Sequence, residues 1–205
     1  MTPGASASEQ SDATNATGRG AIVVLGDSLA AGHGLARAEA YPALLEQKIT
    51  ARGWKYEVVD AGLSGDTTAG GLRRLDWVLQ RKIDVLLIAL GGNDGLRGIE
   101  PDVTRTNLQS MIERARAKQP AIEIVLAGMK MPPNMGREYV AKFQTIYPEL
   151  AKTNGVSLVP FLLEGVGGRP EVNQDDMIHP TAAGHRIIAE NVWKVLEPLL
   201  DKRNQ

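Results

Sequence analysis

The 205-residue sequence contains no cysteine, which excludes disulfides, thiolate zinc sites and thiol nucleophiles. It leaves the compartment open, because exported proteins also fold without disulfides. Aromatic residues make up only 4%, too few for a base-stacking platform, so no nucleic-acid partner is expected. A net charge of −1 gives no broad attraction to nucleic acid or to an anionic membrane. No apolar run approaches transmembrane length, so stable membrane insertion is not expected either. Internal repeats are missing. What remains is the balance of an ordinary globular chain, 43% hydrophobic and 23% charged, sized for one domain with a substantial core.

The first residues are Ser, Thr, Ala, Asn and Gly with no apolar centre, neither a signal peptide nor a fold element. Residues 1–19 are expected to be a disordered lead and 20–205 the folded domain. Asn15 opens an Asn-Ala-Thr sequon, a triplet too common by chance to carry weight.

From Gly20 onward, short apolar runs alternate with longer helical patterns. Strands are expected at 21–25, 55–62, 84–92, 121–128 and 155–160. Helices are expected over 41–53, 67–82, 101–118 and 137–153, and over 180–200 beginning at Pro180. The run at 84–92 is apolar throughout, as suits a central parallel strand covered on both faces. This alternation predicts an α/β fold with a doubly wound parallel sheet. In such a sheet, ligands bind beyond the carboxyl ends of the strands.

Reactive residues gather at those ends. Asp27 and Ser28 follow the first strand within a run of small residues, Gly65 follows the second, Asn93 the third, and Asp176 and His179 lie beyond the fifth. A serine hydroxyl needs a base, usually a histidine steered by a carboxylate. Of three histidines, only His179 has an acid three residues earlier, Asp176. His33, near Ser28 in sequence, is the alternative base, and His185 reads as a packing or surface residue. The Ser28 and Gly65 N–H groups and the Asn93 carboxamide are candidate donors to an oxyanion. Asp27, Asp66 and Asp94 read as loop-pinning acids.

The four segments "GDSL" (26–29), "GLSGDT" (62–67), "GGNDG" (91–95) and "DMIHP" (176–180) together resemble the sequence blocks of the SGNH, or GDSL, hydrolases. "SGDTTAGGLRRL", "LGGNDGLRG" and "FLLEGVGG" resemble its bacterial thioesterase I, lysophospholipase and arylesterase group. The resemblance implies a flavodoxin-like three-layer α/β/α sandwich around five parallel strands. It implies a Ser28, Asp176, His179 triad and an oxyanion hole from Ser28, Gly65 and Asn93. It also implies ester or thioester hydrolysis with neither metal nor cofactor, and a periplasmic or secreted location. The loop at 129–136 falls where that group has a mobile, substrate-responsive segment. Met131, Pro132, Pro133, Asn134 and Met135 are therefore expected to contact the acyl group, with Met129 nearby; the competing role for these methionines is core filling.

Two other readings compete. One is a carbohydrate O-acetyl esterase using the same triad. The other is a non-catalytic flavodoxin-like module binding a phosphate, which the missing P-loop and dinucleotide fingerprints disfavour. A small-molecule ester is the expected partner. Nothing in the sequence fixes the oligomeric state or demands a second subunit.

Overall fold

The computed structural model describes residues 18–204. The expected disordered lead therefore lies, up to residue 17 and with Asn15, outside the described residues. Its last residue, Arg19, already reaches the Tyr56 carbonyl and, at 3.4 Å, Glu46.

Five parallel strands form one sheet: β1 (Gly20–Gly26), β2 (Tyr56–Gly62), β3 (Val85–Ala89), β4 (Glu123–Ala127) and β5 (Ser157–Val159). Their order is β2-β1-β3-β4-β5. β1 and β3 are buried along almost their whole length, whereas the edge strand β2 is mostly half-buried. The apolar run that marked β3 as central has this cause. Helices α2 (Tyr41–Ala51) and α7 (Ala182–Asn204) pack together, as do α3 (Thr68–Val78), α5 (Pro101–Lys118) and α6 (Arg137–Asn154). The result is the three-layer sandwich. Strand order reverses between β1 and β3, which opens a crevice at their carboxyl ends.

The structure differs from the expected elements in three instructive places. α3 stops at Val78 because the Gln119 side chain supplies the next loop with partners. Its amide donates to the Leu79 and Arg81 carbonyls, and its oxygen accepts the Ile83 N–H at 2.8 Å. α7 begins at Ala182 rather than Pro180. Pro180 instead pairs with Asn173 in an isolated antiparallel bridge, and the Thr181 hydroxyl accepts the Gly184 N–H at 3.4 Å as the helix cap. Two short helices, α1 (Ser28–Ala31) and α4 (Gly92–Leu96), have no counterpart in the sequence reading, since four or five residues are too few to show a helical period.

Candidate active site

Ser28 is the first residue of α1, and Asp27 caps that helix by accepting the Leu29 N–H at 2.9 Å. The serine thus leaves β1 on a sharp strand-to-helix turn, its hydroxyl beside the crevice and its side chain nearly buried. On the other lip, the loop after β5 doubles back. Gln174 N–H donates to the His179 carbonyl at 2.7 Å, and Thr181 N–H to the Val172 carbonyl at 2.9 Å. At the tip Met177 takes a left-handed φ of 59°, a conformation that non-glycine residues avoid unless surrounding bonds impose it.

That turn brings Asp176 and His179 together. His179 Nδ1 lies 2.6 Å from Asp176 Oδ2, and its Nε2 lies 3.0 Å from Ser28 Oγ. Asp176 Oδ1 accepts the backbone N–H groups of Ile178 and His179, both at 2.9 Å. The His179 ring bond foremost, then these two N–H groups, hold the Asp176 carboxyl far below the usual carboxylate range. An ionised Asp176 at Nδ1 places the proton there, so Nε2 faces the serine as an acceptor.

His33 does not contact Ser28 through a hydrogen bond. Its exposed ring lies against that of His179, with centroids 4.3 Å apart and planes inclined by 39°. No periodicity in the sequence signals this ring contact. His185 is buried, and its Nδ1 accepts the Tyr41 N–H at 3.1 Å. Burial pushes its pKa down to about 4.

The three candidate oxyanion donors lie on neighbouring turns. Neither the Ser28 nor the Gly65 N–H is used in a turn or loop hydrogen bond among the described residues. Gly65 has φ 79°, which an L side chain resists. Asn93 Nδ2 donates to the Asp66 carbonyl at 2.9 Å and, more loosely, to Asp27 Oδ2 at 3.3 Å. Beneath it Asp94 is fully buried and accepts the Thr68 N–H at 2.8 Å and the Thr104 hydroxyl at 3.4 Å, anchoring α4 to α3 and α5. The three loop acids therefore do hold loops, Asp66 through an ion pair with Arg74. Asp27 carries a further property: burial lifts its pKa to about 6, against the lowering effect of the Leu29 N–H and the His179 charge.

Asp27 and His185 oppose each other in acid. The unfolded Asp27 carboxyl has the lower pKa, so its contribution is complete below about pH 4 and lost as pH rises through 6. The unfolded His185 has the higher pKa, so its contribution is complete above about 6.5 and lost as pH falls through 4. Each amounts to about 3 kcal/mol at most, and between pH 6 and 4 they offset. Asp27→Asn removes one side of that balance. Its unfolding free energy should fall by about 2 kcal/mol more than that of the wild type over this interval; urea unfolding at several pH values measures it, and parallel curves would refute it.

A cleft of about 530 Å³ opens beside Ser28, Asn93 and His179, with walls that include Leu29, Met129, Met131, Phe161, Leu163 and Ile178. Met131, Pro132 and Pro133 line it; Asn134 and Met135 do not. The chain turns through a 3₁₀ segment at Pro133–Met135, and Met135 borders a separate depression with Pro101 and Tyr139. Met129 and Met131 prove to be both core and cleft wall. A larger groove of about 810 Å³, between α5 and α6, is lined by Arg105, Gln109 and Glu149 among others and holds no base poised on a hydroxyl. Among the described residues, no group of three His, Asp or Glu side chains is arranged to hold a metal ion.

Comparison with known proteins gives this arrangement a context. Residues 24–187 match the model of the GDSL-like Lipase/Acylhydrolase family. Esterase TesA of Pseudomonas aeruginosa is 44% identical over 180 residues, spanning 87% of this chain and 89% of that protein. Thioesterase 1/protease 1/lysophospholipase L1 of Escherichia coli is 41% identical over 181 residues, 88% of this chain and 85% of the relative. The crystal structure of TesA superposes with a TM-score of 0.83 at 43% identity, covering 87% of this chain and 99% of that one.

Proposed function

The chain belongs to the GDSL-like lipase/acylhydrolase family and is a serine hydrolase of the esterase class, and from that premise we propose that Ser28, His179 and Asp176 are its catalytic triad. The observation that carries this reading is the unbroken chain of contacts from Ser28 Oγ through His179 to Asp176, at 3.0 and 2.6 Å. His179 Nε2 takes the proton as Ser28 Oγ attacks the ester carbonyl. The N–H groups of Ser28 and Gly65 and the Asn93 amide stabilise the oxyanion, Asn93 giving up its longer bond to Asp27. The imidazolium then passes its proton to the departing alkoxide or thiolate, leaving an acyl-serine. Water, deprotonated by His179, repeats the attack and frees the acid and the serine. Asn93→Ala is expected to lower kcat roughly 10²–10³-fold with little change in KM. An unchanged kcat would remove Asn93 from the oxyanion hole.

The apolar cleft supports carboxylic esters of short- to medium-chain acids, with aryl esters and acyl thioesters as further substrates. p-Nitrophenyl esters from acetyl to palmitoyl, alongside acyl-CoA and lysophospholipid, test this. The expected profile peaks at short to medium chains and falls for palmitoyl. Activity confined to acetyl groups, and higher on acetylated sugars, would replace this reading with that of a carbohydrate O-acetyl esterase.

No helix among the described residues is long and apolar enough to cross a membrane, and the relatives named are bacterial. We place the enzyme in the periplasm or outside the cell, acting as a monomer. The monomer assignment is supported by the placing of the exposed large apolar residues: Leu96, Met177 and Ile178 lie at the cleft, and Leu63, Trp77 and Val103 in three separate segments, the loop after β2, α3 and α5. Cell fractionation and light scattering test the two assignments.

A further inference from the structure

Arg74 lies on α3, behind the cleft rather than in its lining. Its side chain is only 20% exposed, and its guanidinium makes three bonds in three directions. Nε donates to Asp66 Oδ2 at 2.7 Å, Nη1 to the Ala61 carbonyl at 2.7 Å, and Nη2 to the Gly26 carbonyl at 2.8 Å. Gly26 and Ala61 lie at the carboxyl ends of β1 and β2. Two residues beyond Gly26 is Ser28. Asp66 directly follows Gly65, and its carbonyl receives the Asn93 amide at 2.9 Å. Gly65 and Asn93 are thus two links from one side chain, and Ser28 three. The site is shaped for this contact, because a Cβ at Gly70 would overlap Asp66 Oδ1.

We propose that Arg74 is a positioning residue for acyl transfer, a planar clamp that fixes the spacing between the Ser28 N–H, the Gly65 N–H and the Asn93 amide. The inference rests on the reading of those three groups as the oxyanion hole. Oxyanion donors must be placed for the tetrahedral state rather than for the ground-state carbonyl. A small drift between the ends of β1 and β2 therefore weakens transition-state binding and leaves substrate binding almost intact. Arginine suits the task because its fork of donors is rigid. A lysine would keep the charge beside Asp66 but is a single point charge on a flexible stem.

Arg74→Lys and Asp66→Asn in the full chain test the proposal. Both are expected to lower kcat roughly 10–100-fold, as a sub-ångström to 1 Å misplacement does, with KM within about threefold. Affinity for a trifluoromethyl ketone, which forms a tetrahedral adduct on the serine, should fall by the same factor as kcat. Affinity for the matching amide, which forms none, should hold. A role confined to filling hydrogen bonds would lower the urea midpoint while leaving kcat and ketone affinity of the folded protein unchanged, and that result overturns the proposal. Parallel weakening of ketone and amide overturns it too, because it signals a collapsed cleft. Should Arg74→Lys fail to fold, Asp66→Asn carries the same readouts, since it keeps the carboxylate's shape and leaves the guanidinium on both carbonyls. Retained activity in Ser28→Ala would instead defeat the triad reading, and the inference with it.

Discussion

Ser28→Ala is expected to lower ester turnover by on the order of 10⁴–10⁶-fold. The substitution removes one atom, Oγ, and little else. Alanine suits the first turn of a helix, the Asp27 cap on the Leu29 N–H remains, and the backbone N–H of residue 28 is retained. Fold and KM should therefore be close to those of the wild type, and the loss should fall on kcat. The slow reaction left over is what binding and the oxyanion donors achieve without a nucleophile. A p-nitrophenyl ester assay beside a thermal melt checks both halves. Turnover within tenfold of the wild type, in a folded protein, would mean that another group attacks the carbonyl.

The second large effect is at Asp176. Its two oxygens have separate duties, Oδ1 on the Ile178 and His179 N–H groups and Oδ2 on the His179 ring. Asparagine can satisfy the backbone pair with its oxygen, which turns its NH₂ toward Nδ1. Nδ1 must then accept, the ring proton moves to Nε2, and the base that faced Ser28 becomes a donor. Asp176→Asn should cost on the order of 10³–10⁴-fold in kcat while the loop keeps its shape. Asp175 is the control. It is exposed and outside the contacts of the triad, so Asp175→Asn should stay within about twofold. Equal losses at the two positions would show that the loop needs its charge rather than a steered imidazole.

The layers of the fold were legible because burial imposes a pattern on many residues at once. A central strand such as Val85–Ala89 is apolar on both faces, and α5 begins at its proline and ends as its period predicts. The candidate site was legible for a related reason, since parallel strands deliver their carboxyl ends to one edge and the candidate residues follow those ends. What the sequence hid depends on single contacts between distant segments. Arg74 reads as one more charged residue on an amphipathic helix; only its reach to Gly26, Ala61 and Asp66 gives it meaning. Asn134 and Met135 were expected at the acyl group because they share a loop with Met131, but a three-residue turn redirects them. The delayed start of α7 follows from the bridge between Asn173 and Pro180, which no local pattern announces.

Ser28 and His179 meet across 151 residues of chain. During synthesis the hydroxyl emerges with the first strand, whereas its base follows the fifth. A nascent chain that stops short of residue 179 carries the serine without the base proposed for it, so on that reading it lacks the triad that acyl transfer requires. On that reading, hydrolytic competence waits for the segment beyond β5 to dock beside α1.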